Sequence, residues 1–305
     1  MVKYLPFKKR NPDSQYRRLL KRIISQGEKV FPQQEEEAIF YPGFLMRFKL
    51  ENGFPIITER DLVNVESGKR SNMFQALGEL FAFLNGAHTQ ENLKNFGCTW
   101  WKRWVTPEKC GKRGLEIGDL GPGSYGAAWR NFPTLEGKSF DQITNLIEQI
   151  NELPHLRTHF VSPWIPQYTY RGKGKQQKVV VVPCHGWFHI IINVQNRRMR
   201  LIHEQRSADV PVGLVCNLIQ YAALLMMLAQ ITNYEPYELV YFISDAHIYV
   251  NQLKDVHEIL STKPERFPTV KIDPSVTDIF KFRQNHFTVE DYHPQLPGRV
   301  IWTPV

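Results

Sequence analysis

The sequence predicts a single α+β domain with one main sheet and several helices. Three observations carry that prediction. Amphipathic segments of helical period recur along the chain, and strand-like apolar runs concentrate between residues 157 and 205. No internal repeat, low-complexity linker or abrupt change of composition divides the 305 residues, a length able to bury a sizeable core.

The elements follow in order. Residues 1–14 form a basic N-terminal extension. QYRRLLKRIISQGEK (15–29) has helical spacing, with Leu19, Leu20, Ile23 and Ile24 on one face and Gly27 as its stop. FLMRFKLENGFPIIT (44–58) predicts two strands around an Asn-Gly turn. FQALGELFAFLNG (74–86) is an apolar helix with one acidic residue, Glu79, inside it, and TQENLKNFG (89–97) a short helix ahead of the aromatic cluster TWWKRW. The glycine-rich, charged loop EKCGKRGLEIGDLGPGSYG (108–126) has the length of a functional loop. SFDQITNLIEQINEL (139–153) predicts a helix capped by Ser139. Strands are then expected in RTHFVSPWIPQYTY (157–170), KVVVVPCHGWFHIIINV (178–194) and MRLIHEQRS (199–207). LVCNLIQYAALLMMLAQITNY (214–234) is the longest helix, and HIYVNQLKDVHEIL (247–260) a later one.

Composition is that of a globular chain, 42% hydrophobic and 22% charged. The four cysteines show no CxxC spacing and no dense framework, which argues against a zinc module and a disulfide-stapled fold. The basic N-terminus carries no apolar h-region, so no signal peptide is expected. Asn217, Gln220 and Gln230 break the most apolar helix, which reads as buried and not as a membrane span. An intracellular soluble protein is expected. A net charge of +8 gives solubility and attraction to anions, or a site for phosphorylated ligands. Nucleic-acid binding is not expected, because no zinc-finger or RNP-type signature is present.

Several residues could carry chemistry. Glu79 would cost several kcal/mol if buried alone, so it lies on a polar helix edge or serves as a tuned acid/base. Arg206 and Ser207 could bind a phosphate, since a guanidinium fork and a hydroxyl suit its oxygens; strand-end and capping roles are the alternatives. Asn217 offers a donor beside an acceptor, the pair needed to read an amide-like ring edge such as uracil O4 and N3–H. His247 and Tyr249, two apart on a strand end, could reach a sugar. Cys184, in VVVVPCHGWF, is a core thiol, a metal ligand, or a nucleophile whose pKa a neighbour such as Arg206 depresses.

PCH, QRSADVPVG…N and DAHIYVN, in that order and spacing, resemble the folate-dependent thymidylate synthase family. GFPIIT looks like the family's GFPLLT, GELFAFLNG like HELLWFLRG, and GDLGPGSYGAAWR like GDLGPVYGKQWR with one inserted residue. TWWKRW matches the region of its two tryptophans, and SFDQITNLIEQI the following helix. The resemblance implies a mixed sheet with packed helices, one sheet face forming a homodimer interface. It implies that Cys184 adds to C6 of a pyrimidine 5′-monophosphate and that C5 takes a one-carbon unit from 5,10-methylenetetrahydrofolate. Arg206, with Ser207, Gln205 and the partner-reaching Arg157, would bind the nucleotide; Asn217 would read the base, and His247 and Tyr249 the sugar. Glu79, Tyr125 and His185 would order water and move protons. Asp209, Val212, Gly213, Cys216, Trp101 and Trp104 would form the folate site. No metal is implied, and the setting would be cytoplasmic, in a bacterium or phage-infected cell.

The departures from the family pattern bear on the product. PQQEEEA, with Gln33, replaces the phosphate loop DRTGTGT, and the partner-supplied arginine pair is reduced to Arg157-Thr158. Cys216 replaces a phenylalanine, Val212 a leucine, and WTPV the PVAV-like tail that closes over folate. These changes favour water over hydride as the final reactant, hence a nucleotide hydroxymethylase acting on dUMP. Ordinary thymidylate synthase, giving dTMP and dihydrofolate, is the alternative, and a non-catalytic nucleotide- or RNA-binding relative a second.

Overall fold

Helix α1 (Gln15–Gln26) buries Tyr16, Leu19, Leu20 and Ile23, as its spacing predicts, and ends at Gly27. Ahead of it, Arg10 ties residues 1–14 down: it donates to the carbonyls of Leu5 and Phe267 and to the Thr269 hydroxyl. Strands β1 (Glu28–Val30) and β2 (Ala38–Lys49) follow, then α2 (Asn72–Leu84), α3 (Gln90–Asn95), α4 (Pro107–Gly111) and α5 (Tyr125–Arg130). A small hairpin, β3 (Phe132–Pro133) with β4 (Ser139–Phe140), leads to α6 (Gln142–Glu152), β5 (Phe160–Val161) and α7 (Pro166–Thr169). Strands β6 (Trp187–Asn193) and β7 (Arg198–Asp209) precede α8 (Val215–Ile231), β8 (Glu235–Tyr249) and α9 (Leu253–Ser261). β9 (Thr269–Ile272) and β10 (Phe287–Glu290) pair near the C-terminus. This computed structural model describes residues 1–32, 36–64, 70–298 and 300–304.

The main sheet has the order β1-β2-β8-β7-β6-β5 and is mixed, with β7 parallel to β8 and the other pairs antiparallel. Its inner face, with Met199, Leu201 and His203 on β7, meets α8, and α2 packs on α8. α8 is buried all round from Val215 to Ala229, as a central core helix must be, and apolar there except at Asn217 and Gln220. The helical run Val210–Ile231 is long and apolar enough to cross a membrane, yet 89% of its most apolar window lies inside the protein. On the outer face the register aligns Phe160, His189, Ile202, Val240 and Arg47, and Leu45 is exposed two residues along β2.

Five expectations need correction. After the turn at Asn52–Gly53, residues 54–58 form no strand. Asp141, not Ser139, caps α6, accepting from the backbone N–H groups of Ile143 and Thr144, while Ser139 pairs with Pro133. Residues 157–170 hold only the two-residue β5, because Pro163 and Pro166 withhold ladder donors and Pro166 opens α7. The valine run 179–182 and the Pro-Cys-His that follows are irregular chain, and the strand begins at Trp187. His247 to Tyr249 end β8, and the helix starts only at Leu253.

Candidate active site

Cys184 is held without a strand of its own. Its carbonyl accepts from the Arg206 backbone N–H at 2.8 Å, a bond that carries the β6–β7 pairing past the last strand residue. Its own N–H donates to the Tyr125 hydroxyl at 2.8 Å. Two residues on, Gly186 takes φ +103 to turn into β6, a conformation side-chain-bearing residues avoid. Arg206 donates from Nε to Pro183 O, and its Nη2 lies 3.3 Å from both Val182 O and Cys184 Sγ. Burial pushes the thiol up, Arg206 and the Tyr125 hydroxyl pull it down, and Asp245 pushes up again; the sum is above the usual value. The expectation that Arg206 depresses the thiol holds for direction of influence, but burial outweighs it.

Behind Cys184, His185 stacks on Tyr125 with ring centroids 4.4 Å apart, and its Nδ1 meets the Tyr221 hydroxyl at 2.7 Å. Burial drives its pKa down to about 3, so it is neutral at physiological pH and cannot act there as an imidazolium acid. Tyr125 is pushed well up, by burial and then by the neighbouring Cys184, and keeps its proton.

Glu79 is 4% exposed in the apolar interior. Trp100 and Trp101 donate their indole N–H groups to its Oε1 at 2.6 and 2.5 Å, and Gln220 donates to Oε2 at 2.7 Å. Burying an ionised carboxylate costs several kcal/mol, and charge-assisted bonds return about 1.5–3 kcal/mol each. The donors reduce the cost without cancelling it, and burial leaves the carboxyl above its usual value. From Glu79 the hydrogen bonds run outward. Asn217 Nδ2 donates to Gln220 Oε1 at 2.8 Å, and Gln205 Nε2 donates to Asn217 Oδ1 at 3.0 Å. Tyr241 donates to Gln205 Oε1. Gln205 is therefore spent inside the protein, while Asn217 keeps one N–H and one lone pair.

A second cluster closes the strand ends. Ser207 donates to Asp245 Oδ2 at 2.6 Å, and His247 Nδ1 lies 3.1 Å from Asp245 Oδ1. Burial pushes Asp245 up, but the hydrogen bonds and the charges of His247 and Arg206 hold it below its usual value. Ser207 thus gives its proton to a carboxylate in this structure. Tyr249 packs edge-on against His247 and Trp302. Asp209 accepts from Gln252 Nε2 at 3.1 and 3.0 Å and from the Thr303 hydroxyl at 2.6 Å; burial raises it against these donors.

The matching family model is that of thymidylate synthase, over residues 14–300. The chain belongs to the thymidylate synthase family. The family's chemistry is folate-dependent one-carbon transfer to a pyrimidine nucleotide, with 5,10-methylenetetrahydrofolate as co-substrate.

For a thymidylate synthase family member, the expected residues include two connected sets and several that stand apart from them. Cys184, Arg206, Tyr125 and His185 meet directly or through one another, as do Glu79, Trp101, Asn217 and Gln205. Val212 and Gly213 are partly exposed on the turn Val210–Leu214 below Asp209, and a side chain at Gly213 would find only Asn217 Oδ1, 4.0 Å off. Cys216 is buried beside the Asn72 amide, and burial raises its thiol to about 11. Trp104 is half-buried under Lys109, whose Nζ lies 4.9 Å from its ring centroid. Arg157 is exposed ahead of β5 and joins none of these hydrogen bonds, its carbonyl accepting from His189. Gln33 lies outside the described residues. Among the described residues, no group of three or more His, Cys, Asp or Glu could hold a metal ion. Sequence reasoning missed Trp100, Gln220, Asp245 and Gln252. For Gln220 a signal existed, since Asn217 and Gln220 stand three apart on an otherwise apolar helix and must share a face.

Proposed function

We propose that this chain transfers one carbon from 5,10-methylenetetrahydrofolate to C5 of a pyrimidine 5′-nucleotide, dUMP by preference, and that water completes the reaction to give the 5-hydroxymethyl nucleotide. The contact between Arg206 Nη2 and Cys184 Sγ carries the reading. A half-buried thiol whose resting form is protonated needs a cation beside it when it ionises, and Arg206 is that cation. Cys184 then adds to C6, and the displaced electron pair makes C5 an enolate carbon. C5 attacks the methylene group, loses its proton, and expels tetrahydrofolate, leaving an exocyclic methylene. Water adds its oxygen to that carbon and loses a proton, and the Cys184–C6 bond breaks to return the thiolate. Glu79 is the buried acid/base that exchanges the protons. The free N–H and lone pair on Asn217 suit uracil N3–H and O4 only if the base presents the complementary pair, which Asn217 matches by using Oδ1 toward N3–H and Nδ2 toward O4.

Arg206, joined by Arg157 from a second copy, binds the phosphate. His247 and Tyr249 bind the sugar, and Asp209, Val212, Gly213, Cys216, Trp101 and Trp104 take the folate. The outer sheet face, with Leu45, Ile202, Val240 and Phe160, fits a homodimer interface, and we place the protein in the cytoplasm. Methyl formation by hydride from the folate is the second reading. It is favoured by the seating of Trp302 and Thr303 against Tyr249 and Asp209, since a seated tail excludes water.

Incubation with methylenetetrahydrofolate and dUMP, dCMP, UMP or CMP, followed by product mass, tests this directly. Gain of CH2O from dUMP is expected; gain of CH2 establishes the second reading. Cys184→Ala should abolish tritium release from 5-tritiated nucleotide. Full release would end the covalent mechanism.

A further inference from the structure

One oxygen of Glu79 is served by two consecutive tryptophans. Trp100 and Trp101 open a 3-10 turn, Trp100–Arg103, and both indole N–H groups converge on Oε1. The convergence depends on close packing of α2 against the chain ahead of that turn. A side chain at Gly78 would meet Phe96 O at 2.4 Å, so only glycine lets the helix come this near. A carboxylate oxygen has two lone pairs in its plane, so the two indoles fill Oε1 and the Cys98 thiol, 4.0 Å off, is left as a weak outer contact. Oε2 receives one donor, from Gln220, which itself accepts from Asn217.

We propose that Trp100 is a positioning residue for Glu79: it fills the second acceptor place on Oε1, so that the proton and any water Glu79 exchanges are confined to Oε2, on the side of Gln220 and Asn217. The inference rests on Glu79 being the proton carrier. With Trp101 alone, the second lone pair of Oε1 would face only the weak thiol donor of Cys98, 4.0 Å away, and the carboxyl could take its proton on the wrong oxygen. Trp100 also opposes burial, which favours the neutral acid in this site. A tryptophan that served only to pack would affect stability and leave the titration of Glu79 untouched.

The test is the pH profile of kcat/KM for the full chain carrying Trp100→Phe. Losing a donor to the ionised carboxylate raises its pKa, so the acidic limb should move about one unit toward higher pH, a tenfold loss on that limb. A profile superimposable on the wild type overturns the proposal. Should Trp100→Phe fail to fold, Trp100→His takes its place: the shorter ring brings an N–H only part-way to Oε1, and an intermediate displacement is expected, none being fatal. Glu79→Gln is run in parallel. Wild-type rate in Glu79→Gln removes the proton-carrier reading itself, whereas an inactive Glu79→Gln beside an unmoved Trp100→Phe limb removes only the role of Trp100.

Discussion

Two carboxylates, the buried Glu79 and the half-buried Asp209, have been driven the same way by the same cause and are held by very different partners. Burial raises both. The donors to Glu79 come from α8 and from a turn packed on α2, elements locked in the core. Those to Asp209 are the backbone of Val212, Gln252 and Thr303, and Gln252 Nε2 also donates to Trp302 O, so residues 302–303 are tied to this carboxylate. The environment of Glu79 is thus built in, while that of Asp209 depends in part on the segment that carries Thr303. Chemistry that needs a constant proton affinity belongs with the first, and binding that must admit and release a ligand belongs with the second.

The comparison breaks most sharply in catalysis. Glu79→Gln should lower kcat by about 10²–10⁴-fold, the usual contribution of a general acid/base, with nucleotide affinity near wild type. Asp209→Asn should instead act mainly on folate, raising its KM by about tenfold to a hundredfold as one charged hydrogen bond is lost. Steady-state kinetics with each substrate varied separate the two; equal effects on kcat would erase the distinction.

Stability against pH sharpens it. A carboxyl raised in the folded state contributes stability below the ordinary carboxylate range, and that contribution is lost as pH rises through its folded value. Calorimetry from acid to neutral pH should therefore show Glu79→Gln gaining on the wild type as pH rises, by a few degrees in Tm. His185 has the opposite slope. Its folded pKa of about 3 lies below the ordinary 6.5, so its contribution is present above 6.5 and lost as pH falls toward 3. The smallest effect is reserved for Thr303→Val, which removes one donor to Asp209 and frees the tail. A change of a few-fold in folate KM with kcat unaltered is expected; no change would mean the tail contact has no bearing on the folate site.

Much of the fold was legible because local pattern and burial agree. The face of α1, the apolar α2 with its single acid and the uniformly buried α8 follow from residue spacing. The valine run before Cys184 misled because β-branched residues suit a strand anywhere, whereas Pro183 and the turn at Gly186 decide where pairing begins. In the site, motif spacing was enough to bring Cys184, Arg206, Asn217, Glu79 and Asp209 forward. Spacing could not show that Ser207 gives its proton to Asp245, that Gln205 is consumed within the core, or that His185 is neutral.

By itself, then, the sequence determined most of the helices, the residues offered for the chemistry and the family to which the chain belongs, since each is set by composition and spacing along the chain. Only the tertiary structure decided what those residues are free to do. Protonation and hydrogen-bond occupancy depend on desolvation and on partners far away in sequence: Glu79 on Gln220 and two tryptophans, Asp209 on Thr303, Cys184 on Arg206 and Tyr125. Those partners meet only when the sheet, α2 and α8 have packed.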